Sequence, residues 1–222
     1  FNEKLKWTLI VLVLFFVLGM IPLYGVGENV LKNFEYLSII LGARFGSLIS
    51  LGIGPIVTGS MILQLLNGSG ILEFDLNSSE GKRRFQGIQK LVSIIFILFE
   101  AAIYVLMGGL SPARYFDPVT NTFVQSAGAN IVQLTASQMT FIKFGLIFQL
   151  FLGGMIVLFM DEIVSKWGFG SGISLFIAAG ISQQIVIKLL SILTENGVPF
   201  WASPNQRPPA GAIWSLLLYH LP

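Results

Sequence analysis

Few side chains in this sequence of 222 residues have the chemistry of catalysis. Ser69 in "NGSG" and Ser171 in "GFGSG" are possible nucleophiles, but both stand beside glycines with no suitable base nearby, which favours loop turns over an intramembrane protease. His220 is the one histidine, so a metal cluster or a dyad built on two histidines is excluded. We therefore expect no catalytic residue, no metal, no cofactor and no enzyme activity.

Glu100 is the one ionisable residue in the middle of a long apolar segment. A charge at such a depth in a membrane costs ~2.5 to 3.5 kcal/mol on insertion scales, so it is a candidate functional group. Two interpretations follow: Glu100 is a proton or cation site, or it hydrogen-bonds to a neighbouring helix. No second acid or clear basic partner lies in an apolar segment, which favours the structural role.

The composition is that of an integral membrane protein. Hydrophobic residues make up 54% of the chain and charged residues only 11%, with a mean hydropathy of +0.79. The absence of cysteine excludes disulfides, and the net charge of +2 is too balanced for direct nucleic-acid binding.

Five segments are long and apolar enough to cross a bilayer core of about 30 Å, which requires ~20 helical residues. They predict an all-α membrane protein with five transmembrane helices at residues 7–24, 47–66, 91–110, 141–160 and 172–193. Residues 197–222 read as a Pro-rich hinge loop and a possible start of a sixth helix. Basic residues are dense in the loop 67–90 and sparse in the longer loop 111–138, which predicts a cytoplasmic amino end.

The second segment contains "LGIGPIVTGSM", residues 51–61, whose three glycines and one proline weaken a helix. Weak helix is tolerated in a membrane only where it is buried in protein or lines a cavity, so this stretch should face the interior. Ordinary packing of small residues and the lining of a pathway are equal alternatives on spacing alone.

Branched apolar pairs follow the glycines in two segments. Ile53 and Val57 lie four residues apart, and Ile173 and Ile177 repeat that interval after "GFGSG". If the pairs converge, they form a hydrophobic constriction that gates by dewetting. The short segment 33–45, "NFEYLSIILGARF", is either an interfacial helix or a re-entrant one that blocks a cavity.

The stretches "LGIGPIVTGSMILQLLNGSG", "FQGIQKL" and "DEIVSKWGFGSGISLFIAAG" resemble the amino-terminal half of the SecY family, the channel subunit of the protein-conducting translocon, in its archaeal form. The resemblance implies one half of a ten-helix, inverted-repeat channel that passes unfolded secretory polypeptides across the cell membrane and releases transmembrane segments laterally into lipid. A secondary transporter with a broken-helix solute site is the alternative.

The resemblance also implies roles for individual residues. The pore ring would contain Ile53, Val57, Ile173 and Ile177, and one wall of the lateral gate would contain Ile62, Gln64, Leu65, Ile94 and Leu98. The plug would be Asn33, Phe34, Glu35, Tyr36, Leu37, Ser38, Ile39, Ile40, Leu41, Gly42, Ala43, Arg44 and Phe45. The implied partners are SecE, the small beta subunit, the ribosome, signal sequences, nascent polypeptides and the lipid bilayer.

Overall fold

The structure is a computed structural model that describes residues 2–26, 46–72, 74–75, 78–124, 131–191, 211, 213 and 216. Its named helices are α1 (Asn2–Leu18), α2 (Gly54–Gly68), α3 (Ser79–Leu106), α4 (Ala136–Trp167) and α5 (Gly172–Leu190). Two of these described helices, α3 and α4, are long and apolar enough to cross a membrane by length and composition. The chain forms two compact units, Phe1–Phe176 and Ile177–Pro222, so α5 begins in the first and ends in the second.

Helices α1 and α3 each pack against α4 through buried apolar faces, while other faces of the three helices carry exposed large apolar side chains. Ile97 of α3 and Leu150 of α4 are fully buried, whereas Phe144 of α4 is 69% exposed. A Cβ added at Gly154 would lie only 2.5 Å from Ile97 Cγ2, so glycine permits the close approach of α3 and α4. Because lipid chains are as apolar as leucine, the hydrophobic effect does not drive helices together within a membrane. Packing between such helices is instead expected to depend on small residues that let the backbones approach closely.

Residues 46–53 form a buried turn ahead of α2 instead of the first turns of a helix. The segment pairs with the end of the α1 region: Leu23 N donates to Gly46 O at 2.8 Å, and Leu48 N donates to Ile21 O at 2.9 Å. A Cβ at Gly153 of α4 would overlap the Leu48 carbonyl, so the turn rests directly on the backbone of α4. The helix within the predicted 47–66 segment thus begins at Gly54, and "LGIGP" leads into it instead of interrupting it.

Pro55 and Gly52 explain where α2 begins. Proline lies in the first turn of the helix, where a missing N–H is tolerated, and Gly52 has φ +58, a left-handed conformation that favours glycine. The Ser47 side chain accepts a hydrogen bond from Ile49 N at 3.3 Å, which satisfies one buried polar group of the turn.

The loop between α3 and α4 contains a small sheet, and this corrects the all-α expectation. Strands β1 (Tyr115–Asp117), β2 (Thr122–Val124) and β3 (Val132–Gln133) pair antiparallel in the order β2-β1-β3. Aromatic and β-branched residues favour strands, and the intervening turn includes Asn121 at φ 58. A hydrogen bond from Thr120 lowers the pKa of Asp117, helped by the backbone N–H of Val119.

The second unit is described only in part. It contains α5 from Ile177 onward, and Gly211 N donates to Ser191 O at 3.1 Å. The predicted plug at 33–45 and most of the predicted hinge at 197–222 lie outside the described residues.

Candidate functional site: the start of α2 and an adjoining polar cleft

The start of α2 is held in place by α3 through glycine contacts. A Cβ at Gly54 would lie 3.2 Å from Glu100 Oε1, and a Cβ at Gly59 would lie 3.2 Å from Ser93 Cα. The glycines therefore serve close helix packing, which is the first of the two alternatives drawn from their spacing. Glu100 contacts a neighbouring helix, and its carboxylate lies near the positive end of the α2 dipole, which favours its structural role.

The predicted ring residues of the first unit lie at two helix starts. Ile53 is the N-cap of α2 and is buried, with 3% of its surface exposed, and its carbonyl accepts from Val57 N at 3.1 Å. Val57 is half-buried. Ile173 is half-buried in the first turn of α5, and Ile177 is half-buried in the second unit.

A polar cleft of about 490 Å³ opens between α2, α3, α4 and the start of α5. We call this cavity the polar cleft. Its lining residues are Ile56, Ser60, Gln86, Gln89, Lys90, Ser93, Leu158, Asp161, Glu162, Ser165, Lys166, Ser171 and Ile173. Ile173 shares this lining with Ile56, one helical step from Val57, and Ile53 and Val57 are not among the described lining residues. The structure thus brings Ile173 to the same cavity as Ile56 of α2, which lies between Ile53 and Val57 in the sequence.

Charged groups form a connected cluster in the polar cleft. Glu162 Oε1 lies 2.7 Å from Lys90 Nζ and 2.6 Å from Lys166 Nζ, so one carboxylate joins α3 to α4. Gln89 Nε2 donates to Ser60 Oγ at 3.0 Å and links α3 to α2. Sequence reasoning missed this cluster, although Glu162 and Lys166 have the i, i+4 spacing of a helical ion pair.

Asp161 positions the start of α5. Its Oδ1 accepts from Ile173 N, twelve residues later, at 3.0 Å, so the carboxylate caps the start of α5. A Cβ at Gly172 would lie 2.7 Å from Asp161 Cα, which explains why glycine precedes Ile173. Asp161 and Gly172 therefore act together to fix the position of Ile173, a predicted ring residue.

Comparison with known proteins identifies the family of this chain. A family model described as SecY matches residues 47–219, and one described as the plug domain of Sec61p matches residues 13–46. The chain belongs to the SecY family. The plug match includes the predicted plug segment, which lies outside the described residues.

Individual relatives in this family are archaeal translocase subunits. The chain is 48% identical to the protein translocase subunit SecY of Methanothermobacter thermautotrophicus over 202 residues, 90% of this chain and 39% of that protein. It is 42% identical to the SecY of Pyrococcus horikoshii over 197 residues, 89% of this chain and 38% of that protein. The chain thus spans about two fifths of the length of these relatives, and its archaeal character is confirmed.

Solved SecY-family structures share the fold. A structure described as that of a protein conducting channel has a TM-score of 0.66 and 44% identity, covering 86% of this chain and 38% of that one. Sec61 in the canine ribosome-channel complex from the endoplasmic reticulum gives the same TM-score, identity and coverage. The chain therefore has the SecY channel fold over most of its length.

The residues predicted for a SecY-type lateral gate lie on α2 and α3. Leu65 is 71% exposed and Leu98 is 52% exposed, while Ile62 and Ile94 are half-buried. Gln64 is exposed and its Nε2 donates to Ser60 Oγ at 3.2 Å. These positions thus combine exposed apolar side chains with one polar group that also contacts the polar cleft.

The two serines considered as nucleophiles have different surroundings. Ser69 Oγ donates to Leu66 O at 3.1 Å, the local hydrogen bond of a helix end. Ser171 lines the polar cleft, just before α5. The Ser69 hydrogen bond fits the loop-turn interpretation.

Proposed function

We propose that this chain forms one half of a membrane channel that conducts unfolded polypeptides and releases transmembrane segments laterally into lipid. The observation that carries the proposal lies on α2. Buried Ile53 and half-buried Val57 lie at its start, and Ile56 and Ser60 of the same helix line a cleft rich in charged and amide groups. A wettable cleft beside an apolar constriction is the arrangement of a pore that closes by dewetting.

The pore ring would be completed by the part of the protein that its relatives have beyond this chain. Ile53, Val57, Ile173 and Ile177 would supply one side of the constriction. The segment 33–45 would be the plug that seats against it, and the predicted gate residues of α2 and α3 would supply one wall of the lateral exit. Support comes from the SecY and plug matches, from the position of Ile53 at the start of α2, and from the position of Ile173 at the start of α5, which Asp161 caps.

We further propose a multi-pass protein of the cell membrane with five membrane-crossing helices and a cytoplasmic amino end. Helices α3 and α4 have the length and composition of spans, and α5 contains a shorter apolar helix, Gly172–Gln183. SecE, the small beta subunit and the ribosome are the proposed partners. A related Sec61 structure is described as part of a ribosome-channel complex, which supports the ribosome.

The solute-transporter alternative gains no support, because the relatives matched by the chain are protein translocase subunits and protein-conducting channels. We propose no covalent chemistry for any residue of the chain. Energy for transport would come from a translating ribosome or another motor.

A cross-linking experiment on the full-length protein tests the proposal. A photoreactive amino acid at Val57 is expected to cross-link a translocating polypeptide that has been stalled in reconstituted vesicles. The matched control is the same amino acid at Ile95, which is 65% exposed on α3. Equal cross-linking at both positions, or none at Val57 while the polypeptide is protected from protease, would overturn the pathway assignment.

A further inference from the structure

A second cavity, of about 490 Å³, lies at the opposite end of α4 from the polar cleft. It is bounded by the small sheet, by the turn after α1 and by the first half of α4. Its lining comprises Tyr24, Phe116, Phe123, Leu134, Ser137, Gln138, Phe141, Ile142, Gly145 and Gln149. We call it the sheet pocket.

The two amide side chains that line the sheet pocket already have partners. Gln149 Oε1 accepts from Tyr24 N at 2.9 Å, and Gln149 Nε2 donates to Tyr24 O at 3.3 Å. At the rim, Gln138 Oε1 accepts from Thr135 N at 2.9 Å. These amides are therefore already engaged, and most of the remaining lining is aromatic or aliphatic, which favours a hydrocarbon over a polar solute.

The sheet pocket is long and runs along the axis of α4. Gln138, Ile142, Gly145 and Gln149 follow one helical face, and the eleven steps from the first to the last span about 16 Å at 1.5 Å per step. Gly145 widens the pocket, because a Cβ added there meets no atom within 4 Å. The sheet pocket, whose elongated part we call the slot, begins near the start of a candidate membrane-spanning helix and extends toward the apolar middle of that helix. A lipid chain in the membrane would run in the same direction.

A basic residue, Arg114, is joined through its backbone to the lining of the sheet pocket. The carbonyl of Arg114 accepts from the N–H of Leu134, a lining residue, at 3.0 Å. Arg114 is exposed, and among the residues that the structure describes it has no ion-pair partner. The nearby acid Asp117 is bonded within its own turn, to Val119 N at 2.9 Å and to Thr120 Oγ1 at 2.8 Å. The guanidinium is thus available to a phosphate.

We propose that the sheet pocket holds one hydrocarbon chain of an anionic phospholipid from the adjacent leaflet, with Arg114 binding the lipid phosphate. The lipid would fill the space between the sheet and α4 and so hold the loop against the helix. This inference concerns the opposite end of α4 from the polar cleft, and it stands or falls independently of polypeptide transport.

Photo-cross-linking with a lipid tests the proposal on the full-length protein. The probe is phosphatidylglycerol with a diazirine in its acyl chain, mixed into phosphatidylcholine vesicles that contain the protein. Labelling is expected at Gly145, Gln149 and Phe116. Phe144 and Phe148 are the internal control, because they lie on the same helix but are 69% and 60% exposed. Stronger labelling of Phe144 and Phe148 than of the pocket residues would mean that the probe reports only lipid at the outer surface of the helix. That result, obtained on the wild-type protein, would overturn the proposal.

Two variants sharpen the test. Gly145→Leu should fill the slot and abolish its labelling, whereas Gly87→Leu, another helical glycine whose Cβ meets no atom within 4 Å, should leave it unchanged. Arg114→Gln should lower labelling by phosphatidylglycerol about fivefold, the equivalent of about 1 kcal/mol per basic residue, with little effect on the same diazirine in phosphatidylcholine. Slot labelling that survives Gly145→Leu, or cross-links from the slot to another protein segment in place of lipid, would refute a lipid occupant.

Discussion

The contact between Gly153 and the turn ahead of α2 gives a quantitative prediction. A Cβ at Gly153 would overlap the carbonyl of Leu48, and the obstacle is backbone instead of the end of a flexible side chain. Gly153→Ala must therefore displace either α4 or the turn 46–53. Because that turn ends at Ile53, the displacement would reach the proposed pore ring.

The expected cost follows from the geometry. Inserting a methyl group into a closely packed site typically costs about 1 to 3 kcal/mol, and a rigid backbone neighbour places this site in the upper part of that range. A cost of 2 to 3 kcal/mol corresponds to an increase of about 30- to 150-fold in the unfolding equilibrium constant. Gly145→Ala on the same helix meets open space, so its free energy of unfolding should stay within about 1 kcal/mol of the wild type.

The measurement is equilibrium unfolding of the full-length protein in mixed detergent micelles containing increasing dodecyl sulfate. Helix-propensity effects are similar for the two alanine variants, so the difference between them isolates the Leu48 contact. Equal unfolding midpoints for Gly153→Ala and Gly145→Ala would refute the close approach of α4 to the turn. A normal midpoint with raised ion conductance for Gly153→Ala would mean that the helices absorb the methyl group by moving the ring.

Three further predictions concern the ring, the α5 cap and the sheet. Replacing all four ring residues with serine in the full-length channel should raise ion leak in planar bilayers because the constriction would wet, while Ile95→Ser should not; unchanged conductance would remove the ring assignment. Asp161→Ala should destabilise the fold by about 0.5 to 2 kcal/mol through loss of the α5 cap, and Asp161→Asn, which keeps an acceptor oxygen, should lose less; equal thermal shifts would argue against capping. The depressed pKa of Asp117 stabilises its turn at pH values above the ordinary Asp pKa of 3.8, and this contribution is lost as the pH falls through the lower folded value. Amide exchange at Val119 should therefore lose protection in acid, and Asp117→Asn should flatten that dependence; an unaltered pH profile in the variant would contradict it.

The sequence predicted most of the helices because apolar composition and length are local properties. It placed the fourth segment at 141–160, and α4 runs Ala136–Trp167; it placed the third at 91–110, and α3 runs Ser79–Leu106. Both helices extend well beyond the apolar window at an end, since polar residues capped by Ser78 or Thr135 are also helical. Hydropathy measures burial in lipid, whereas helix ends are set by capping.

The small sheet and the polar cleft were beyond sequence reasoning for a different reason. Strands of two or three residues give too little periodicity to recognise, and the pairing of β1 with β3 depends on residues well separated along the chain. In the polar cleft, Lys90 and Glu162 are 72 residues apart, so only the packing of α3 against α4 could bring them within 2.7 Å. Ser60 and Gln89 meet for the same reason.

By itself the sequence indicated the membrane class, the approximate positions of the described helices, the paired branched residues at four-residue spacing and the resemblance to the SecY family. These follow from composition, from helical periodicity and from motif wording, all of which are readable along the chain. Only the tertiary structure decided that Gly54 and Gly59 face α3, that "LGIGPIVTGSM" begins a helix, and that Asp161 fixes Ile173. Those outcomes depend on which backbone surfaces approach within van der Waals distance, and that is a property of packing between helices distant in sequence.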